Sequence, residues 1–126
     1  MVPSRRRCLV VEDEPDVAAT LRELIEREGF EVTLASNGTE AFFALDKGEF
    51  DLLFSDLRMP LLNGPELYER LKEIRPELVR HMAFVTGDTM GDSMGEFLRS
   101  CGRPVLEKPF TKAGIRAVLA ALVDPA

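Results

Sequence analysis

The stretch LLFSDLRMP (52–60) is apolar through Leu52, Leu53 and Phe54, then delivers a carboxylate, Asp56, before Arg58 and Pro60 break the pattern. An aspartate in that place is commonly a strand-end cap. The same arrangement recurs along the chain, however. LVVEDE ends in Glu12 and Asp13, MAFVT ends in Thr86, and PVLEK ends in Lys108. Three carboxylates brought together repel one another and titrate high unless a cation sits among them. A hard divalent ion suits oxygen ligands, and Mg2+, which uses few carboxylates and keeps several waters, fits this set. Lys108 adds a second positive charge and Thr86 a hydroxyl donor. Around a carboxylate these groups make a place for a phosphoryl group, with Asp56 as nucleophile and an acyl phosphate as product. Positioning and charge neutralisation would supply most of the help.

That chemistry requires elements that bring five distant residues to one end of the molecule. Strand-like runs occur at 7–12, 30–35, 51–55, 82–86 and 104–107, with segments of helical spacing between them. The first helical segment, about 15–28, places Val17, Leu21, Leu24 and Ile25 on one face, with Pro15 suited to its first turn and Gly29 to its stop. A second runs over 38–47. A third is capped by Asn63 and runs through Leu67, Leu71 and Ile74 to Pro76. A fourth, over 91–101, is weakened by Gly91 and Gly95, and a fifth is capped by Thr111.

Alternating apolar strands and helices predict a parallel sheet covered on both faces. Right-handed crossovers make it a doubly wound α/β sandwich. Five strands suit the flavodoxin-like order 2-1-3-4-5, a (βα)5 fold, better than the Rossmann order, and no G-x-G-x-x-G or G-x-x-x-x-G-K-[ST] loop is present. Ligands of such sheets bind beyond the carboxyl ends of the strands, near the switch point. In this order the second strand is an edge, remote from that crevice, and it ends blandly in Ala35-Ser36. Every strand that can reach the crevice brings a polar group to it.

The remaining composition narrows the class. At 126 residues the chain is one domain, 1–126, with its core over about 7–123. Its net charge of −6 argues against nucleic acid as a direct partner. Arg5, Arg6 and Arg7, the one basic run, read as a solvated tail entering the first strand. Cys8 and Cys101 have no framework or metal spacing and read as reduced thiols, so the expected setting is cytoplasmic. No apolar run approaches the roughly 20 residues of a membrane span. His81, the sole histidine, reads as a strand-end residue far from the crevice, so a phosphoryl donor must come from elsewhere. Phe42, Phe43 and Phe97 read as packing residues; Met90 and Met94 read as packing or partner surface.

LVVEDEP (9–15), DLLFSDLRMPLLNG (51–64), FVTGD (84–88) and VLEKPF (105–110) together resemble the receiver domain of bacterial response regulators, over nearly the whole chain. The resemblance implies that Asp56 is the phosphoacceptor, taking its phosphoryl group from a phosphohistidine on a histidine kinase or histidine phosphotransfer domain. It implies Mg2+ bound by Asp13, by Asp56, by Glu12 mostly through water, and by the backbone carbonyl of Arg58. Thr86 would hydrogen-bond the phosphoryl oxygens and Lys108 would pair with them. Lys108–Pro109 would be cis, and Asn63-Gly64 would form the turn into the third helix. Such a domain promotes its own phosphorylation and dephosphorylation without an independent substrate.

Two positions depart from the usual pattern. Glu12 stands where many members have aspartate, with no expected loss. Val105 stands where many have an aromatic whose rotation is tied to the threonine, so the switch would fall to Thr86 and to the stretch GDTMGDSMGEF (87–97). Arg58 and Asp88 flank the crevice and would tune phosphoryl lifetime.

No output domain follows LVDPA. The chain therefore reads as a stand-alone receiver or, closer in its last motifs, as the terminal receiver of a hybrid sensor histidine kinase. No membrane contact is expected, and a monomer is. Two other classes compete. A magnesium-dependent aspartyl phosphohydrolase would want a second aspartate where Arg58 stands. A receiver-like scaffold would not need the full set Glu12, Asp13, Asp56, Thr86 and Lys108.

Overall fold

A computed structural model describes residues 6–58, 62–87 and 92–123, with the backbone alone for 92–94. Asp88, Met90, the Met94 side chain and residues 88–91 of the 87–97 stretch lie outside the described residues. The strands are β1 (Arg7–Val11), β2 (Glu31–Ala35), β3 (Leu52–Asp56), β4 (Met82–Thr86) and β5 (Val105–Glu107). The helices are α1 (Pro15–Glu26), α2 (Gly38–Lys47), α3 (Gly64–Ile74), α4 (Pro76–Val79), α5 (Asp92–Cys101) and α6 (Lys112–Val123). All strand pairs are parallel and the order is β2-β1-β3-β4-β5, the flavodoxin-like order expected from the alternation.

Successive strand residues point to opposite faces, and the strands carry apolar side chains on both. Cys8 and Val10 of β1 join Leu52 and Phe54 of β3 in a core closed by Leu21 and Ile25 of α1 and Ile115, Leu119 and Leu122 of α6. Leu9, Val11, Leu53 and Phe84 face the other way, under Leu45 of α2, Leu67 and Leu71 of α3 and Leu98 of α5. Each fully buried side chain of this size contributes about 1.5–3 kcal/mol.

The helix starts are written locally. Asn37 accepts the Glu40 N–H at 2.8 Å, while the Glu40 carboxylate takes the Ser36 N–H at 2.7 Å and hydroxyl at 2.8 Å. Those donors, the backbone one foremost, hold the Glu40 carboxyl below its usual range. Asn63 and Glu66 form a reciprocal capping box at α3. At the other end of the sheet, His81 Nδ1 meets the Leu122 carbonyl and ties α6 to the start of β4.

Three details differ from the expectations. Pro76 does end α3, but a one-turn helix, α4, starts on that same proline. Proline lacks the N–H that a continuing helix needs and is suited to a first turn. Ile74, expected on the packed face of α3, is 51% exposed, because α3 stops there. Phe43, expected to pack, is 61% exposed with the Lys47 ammonium 4.2 Å from its ring centre. The buried stripe of α2 is Gly38, Ala41 and Leu45, with Phe42 half-buried beside it.

Candidate functional site

Register brings the acids together. Val11 lies opposite Ser55, so the next residues, Glu12 and Asp56, emerge side by side at the carboxyl end of the sheet. Asp56 is the last residue of β3, opposite Val85, and Thr86 is the last of β4, opposite Glu107. Glu12 lies just past β1, but its N–H still bonds the Ala35 carbonyl at 2.9 Å. The Lys108 N–H bonds the Thr86 carbonyl at 2.9 Å, which fixes the start of the lysine beside the end of β4, and the Lys108–Pro109 peptide is cis.

Carboxylate oxygens of Glu12, Asp13 and Asp56 all lie within 4.8 Å of one another. Glu12 and Asp56 are buried and Asp13 is exposed. The Lys108 ammonium stands 3.9 Å from Glu12 Oε1. Glu12 Oε2 accepts the Glu14 N–H at 3.1 Å, and the Arg58 N–H approaches Asp56 Oδ1 at 3.4 Å. Thr86 is buried at the same strand end.

This packing has an electrostatic cost. Burial pushes the Glu12 carboxyl up to about 8; the Asp56 charge adds to that, and the Glu14 N–H and Lys108 ammonium oppose it. Burial also raises the Asp56 carboxyl, against the Arg58 N–H and the Lys108 charge. Glu12 Oε1 is buried with no hydrogen-bond partner. Hard oxygen donors, one of them orphaned, around a deficit of positive charge fit a divalent cation such as Mg2+.

Close contacts hold the segments that frame the site. A Cβ at Gly64 would stand 2.8 Å from the Asp56 carbonyl oxygen and 3.0 Å from Leu57 Cα, so α3 starts hard against the end of β3. The Gly64 N–H bonds the Leu57 carbonyl at 3.0 Å. Leu62 fills the notch at Gly38, where a Cβ would lie 2.6 Å from Leu62 Cβ. Val105 is partly buried on the core that Tyr68, Phe84 and Phe97 also line. Those three rings pack mutually at 5.3–6.1 Å between α3, β4 and α5.

The five residues singled out by position thus share one end of the sheet, with the Arg58 backbone beside them. The Glu14 N–H and the Gly38–Leu62 notch were not singled out. A backbone donor and a missing Cβ leave no mark in side-chain chemistry.

The family model for the response regulator receiver domain matches residues 8–120. A response regulator receiver protein of Anaeromyxobacter sp. (strain Fw109-5) is 38% identical over 104 residues, covering 82% of this chain and 43% of the relative. The receiver protein CpdR of Brucella abortus is 38% identical over 82 residues, covering 65% of this chain and 67% of CpdR. The chain thus spans less than half the length of the Anaeromyxobacter relative. Among solved structures, the receiver domain of a Syntrophus aciditrophicus signal transduction histidine kinase superposes with a TM-score of 0.81 at 27% identity, covering 94% of this chain and 89% of that one. A CheY-like receiver domain from Methanospirillum hungatei superposes at 0.84 with 24% identity, over 96% and 95% of the two chains, and shares the fold.

Proposed function

The chain belongs to the response regulator receiver family of two-component systems, and from that premise we propose that it accepts a phosphoryl group from a phosphohistidine onto Asp56 and so switches a protein-docking surface. The observation that carries this reading is the meeting of Glu12, Asp13 and Asp56 within 4.8 Å beside the Lys108 ammonium. A carboxylate so placed is both nucleophile and site of charge build-up.

In the transfer, an Asp56 carboxylate oxygen attacks phosphorus, the P–N bond to the donor imidazole breaks, and the freed ring nitrogen takes up a proton. Lys108 neutralises charge on the phosphoryl oxygens, and the Thr86 hydroxyl donates to one of them. Glu12, Asp13, Asp56 and the Arg58 carbonyl would hold Mg2+, which when bound supplies the positive charge that these acids and the phosphoryl oxygens lack. Burial of Asp56 limits access of water to the acyl phosphate.

The partner is a histidine kinase or histidine phosphotransfer domain, and the setting is cytoplasmic. The Syntrophus receiver belongs to a signal transduction histidine kinase, and we carry over to this chain a place within such a kinase. The test is intact mass after incubation with acetyl phosphate and Mg2+. Wild type is expected to gain one phosphoryl mass, chelator to abolish the gain, and Asp56→Asn to show none. Equal gain in Asp56→Asn, or no gain in wild type, would sink the reading.

A further inference from the structure

Phe43 of α2 and Leu34 of β2 are large apolar side chains left exposed, at 61% and 37%. A single exposed apolar residue is ordinary, but these two line one groove. With Ala44 and the half-buried Phe50 they form the apolar lining of a cleft of about 570 Å3, built from α2 and the edge strand β2.

Two cations, Arg7 and Lys47, share that lining, and each rests on a ring. The Lys47 ammonium stands 4.2 Å from the centre of Phe43, and the Arg7 guanidinium 4.7 Å from the centre of Phe50. A ring orients a cation without neutralising it. Among the described residues no carboxylate pairs with Lys47, and the one beside the Arg7 guanidinium is the exposed Glu31, at 4.0 Å. Glu40 also lines the groove, but its carboxylate is engaged by the Ser36 N–H and hydroxyl. The result is an apolar patch with two held cations on a chain whose net charge is −6. Arg7 opens β1 and Lys47 closes α2, so these cations lie toward the opposite end of the sheet from Asp56.

We propose that the α2–β2 groove docks an amphipathic helix of a partner protein whose apolar stripe is flanked by carboxylates. The stripe covers Leu34, Phe43 and Phe50, and the carboxylates meet Lys47 and Arg7. Rings and methylene stems line the groove, the kind of surface that receives the apolar face of a helix. Charge complementarity selects the acidic partner. A second copy of this chain is a poor match, because an isologous pair would set cations against cations. A membrane surface recruits clusters of about 4–8 basic residues, and the groove has two. The proposal goes beyond phosphoryl transfer and does not depend on it.

The probe is a fluorescein-labelled synthetic helix of Leu, Ala, Gln and Glu, with leucines on one face and glutamates on both flanks. Anisotropy is read on the whole chain without acetyl phosphate, so failure here leaves the phosphoacceptor reading standing. Wild type is expected to bind the probe, more weakly as salt rises. Phe43→Ala and Lys47→Glu are each expected to weaken binding by about 10-fold or more. Both side chains are exposed, so neither change empties the core. A probe with lysine in place of glutamate is expected to bind Lys47→Glu better than wild type. A probe of the same composition with its leucines scattered round the helix is expected not to bind. No binding by wild type, equal binding of the scattered probe, or indifference to both variants overturns the proposal. So does self-association of the chain that Phe43→Ala abolishes, which would make the occupant a second copy. Displacement of the probe by phosphatidylglycerol vesicles would assign the groove to a membrane and overturn it too.

Discussion

Glu12 is 2% exposed, and its Oε1 has no hydrogen-bond partner. A carboxyl in that state prefers its proton. Its ordinary value is 4.5, and in the folded chain it titrates near 8. Below pH 4.5 both folded and unfolded chains hold the proton, and this group costs nothing. Between the two values the folded state binds more protons than the unfolded state, so stability falls as pH rises, and the loss is complete above about 8. Glu12→Gln removes that dependence. In chelator the variant and wild type should have similar denaturation midpoints near pH 4.5, with the variant more stable by about 1–3 kcal/mol above pH 8. Parallel stability curves across that range would show that Glu12 is not the strained group. Asp56, raised by burial in the same direction, should respond to Asp56→Asn with the same sign.

Elements hold the site through shape as much as charge. The chain between β3 and α3 carries Leu57, Arg58 and Leu62, and Leu62 is seated in the notch that Gly38 leaves at the start of α2. The close atoms include Leu62 Cβ, which moves only with its backbone. Gly38→Ala should therefore cost about 1–3 kcal/mol by overpacking and shift the segment that carries the Arg58 carbonyl. In a Leu62→Ala background, where the notch is empty, the added cost should fall close to zero. Chemical denaturation of the four proteins measures that coupling, and additive costs would place the strain elsewhere. The trio of Tyr68, Phe84 and Phe97 joins three elements in a comparable way. With Val105 too small to supply a ring, these aromatics fill the core beside it.

At the scale of the whole molecule, the fold brings acids from two strand ends together and leaves them short of positive charge. A ligand that binds only the folded state stabilises it by mass action. Mg2+ at about 100 times its dissociation constant should add about 2.7 kcal/mol, which for a domain of this size raises the thermal midpoint by several degrees. Because Glu12 must lose its proton to ligate, the gain should be larger at pH 8 than at pH 6, and chelator should reverse it. Thermal melts at the two pH values with Mg2+, Ca2+ and chelator check this. No Mg2+-dependent shift at either pH would remove the metal from the site.

Much of this was legible in the sequence because its determinants are local. Apolar runs, helix periodicity, Asn63 and Thr111 as caps and Pro76 as a break each act within a few residues, and they yield the element order and, with handed crossovers, the doubly wound sheet. The motifs around Glu12-Asp13, Asp56, Thr86 and Lys108 carried the family, because each sits where a strand must end. Other features depend on which chains lie side by side. The register that sets Glu12 against Asp56, the orphaned Glu12 Oε1, the Leu62 notch and the exposure of Phe43 all involve partners far apart in the chain. Sequence fixes residue types and local geometry. Burial, pKa and steric clearance are properties of the space between elements, and that space exists only once the sheet has assembled.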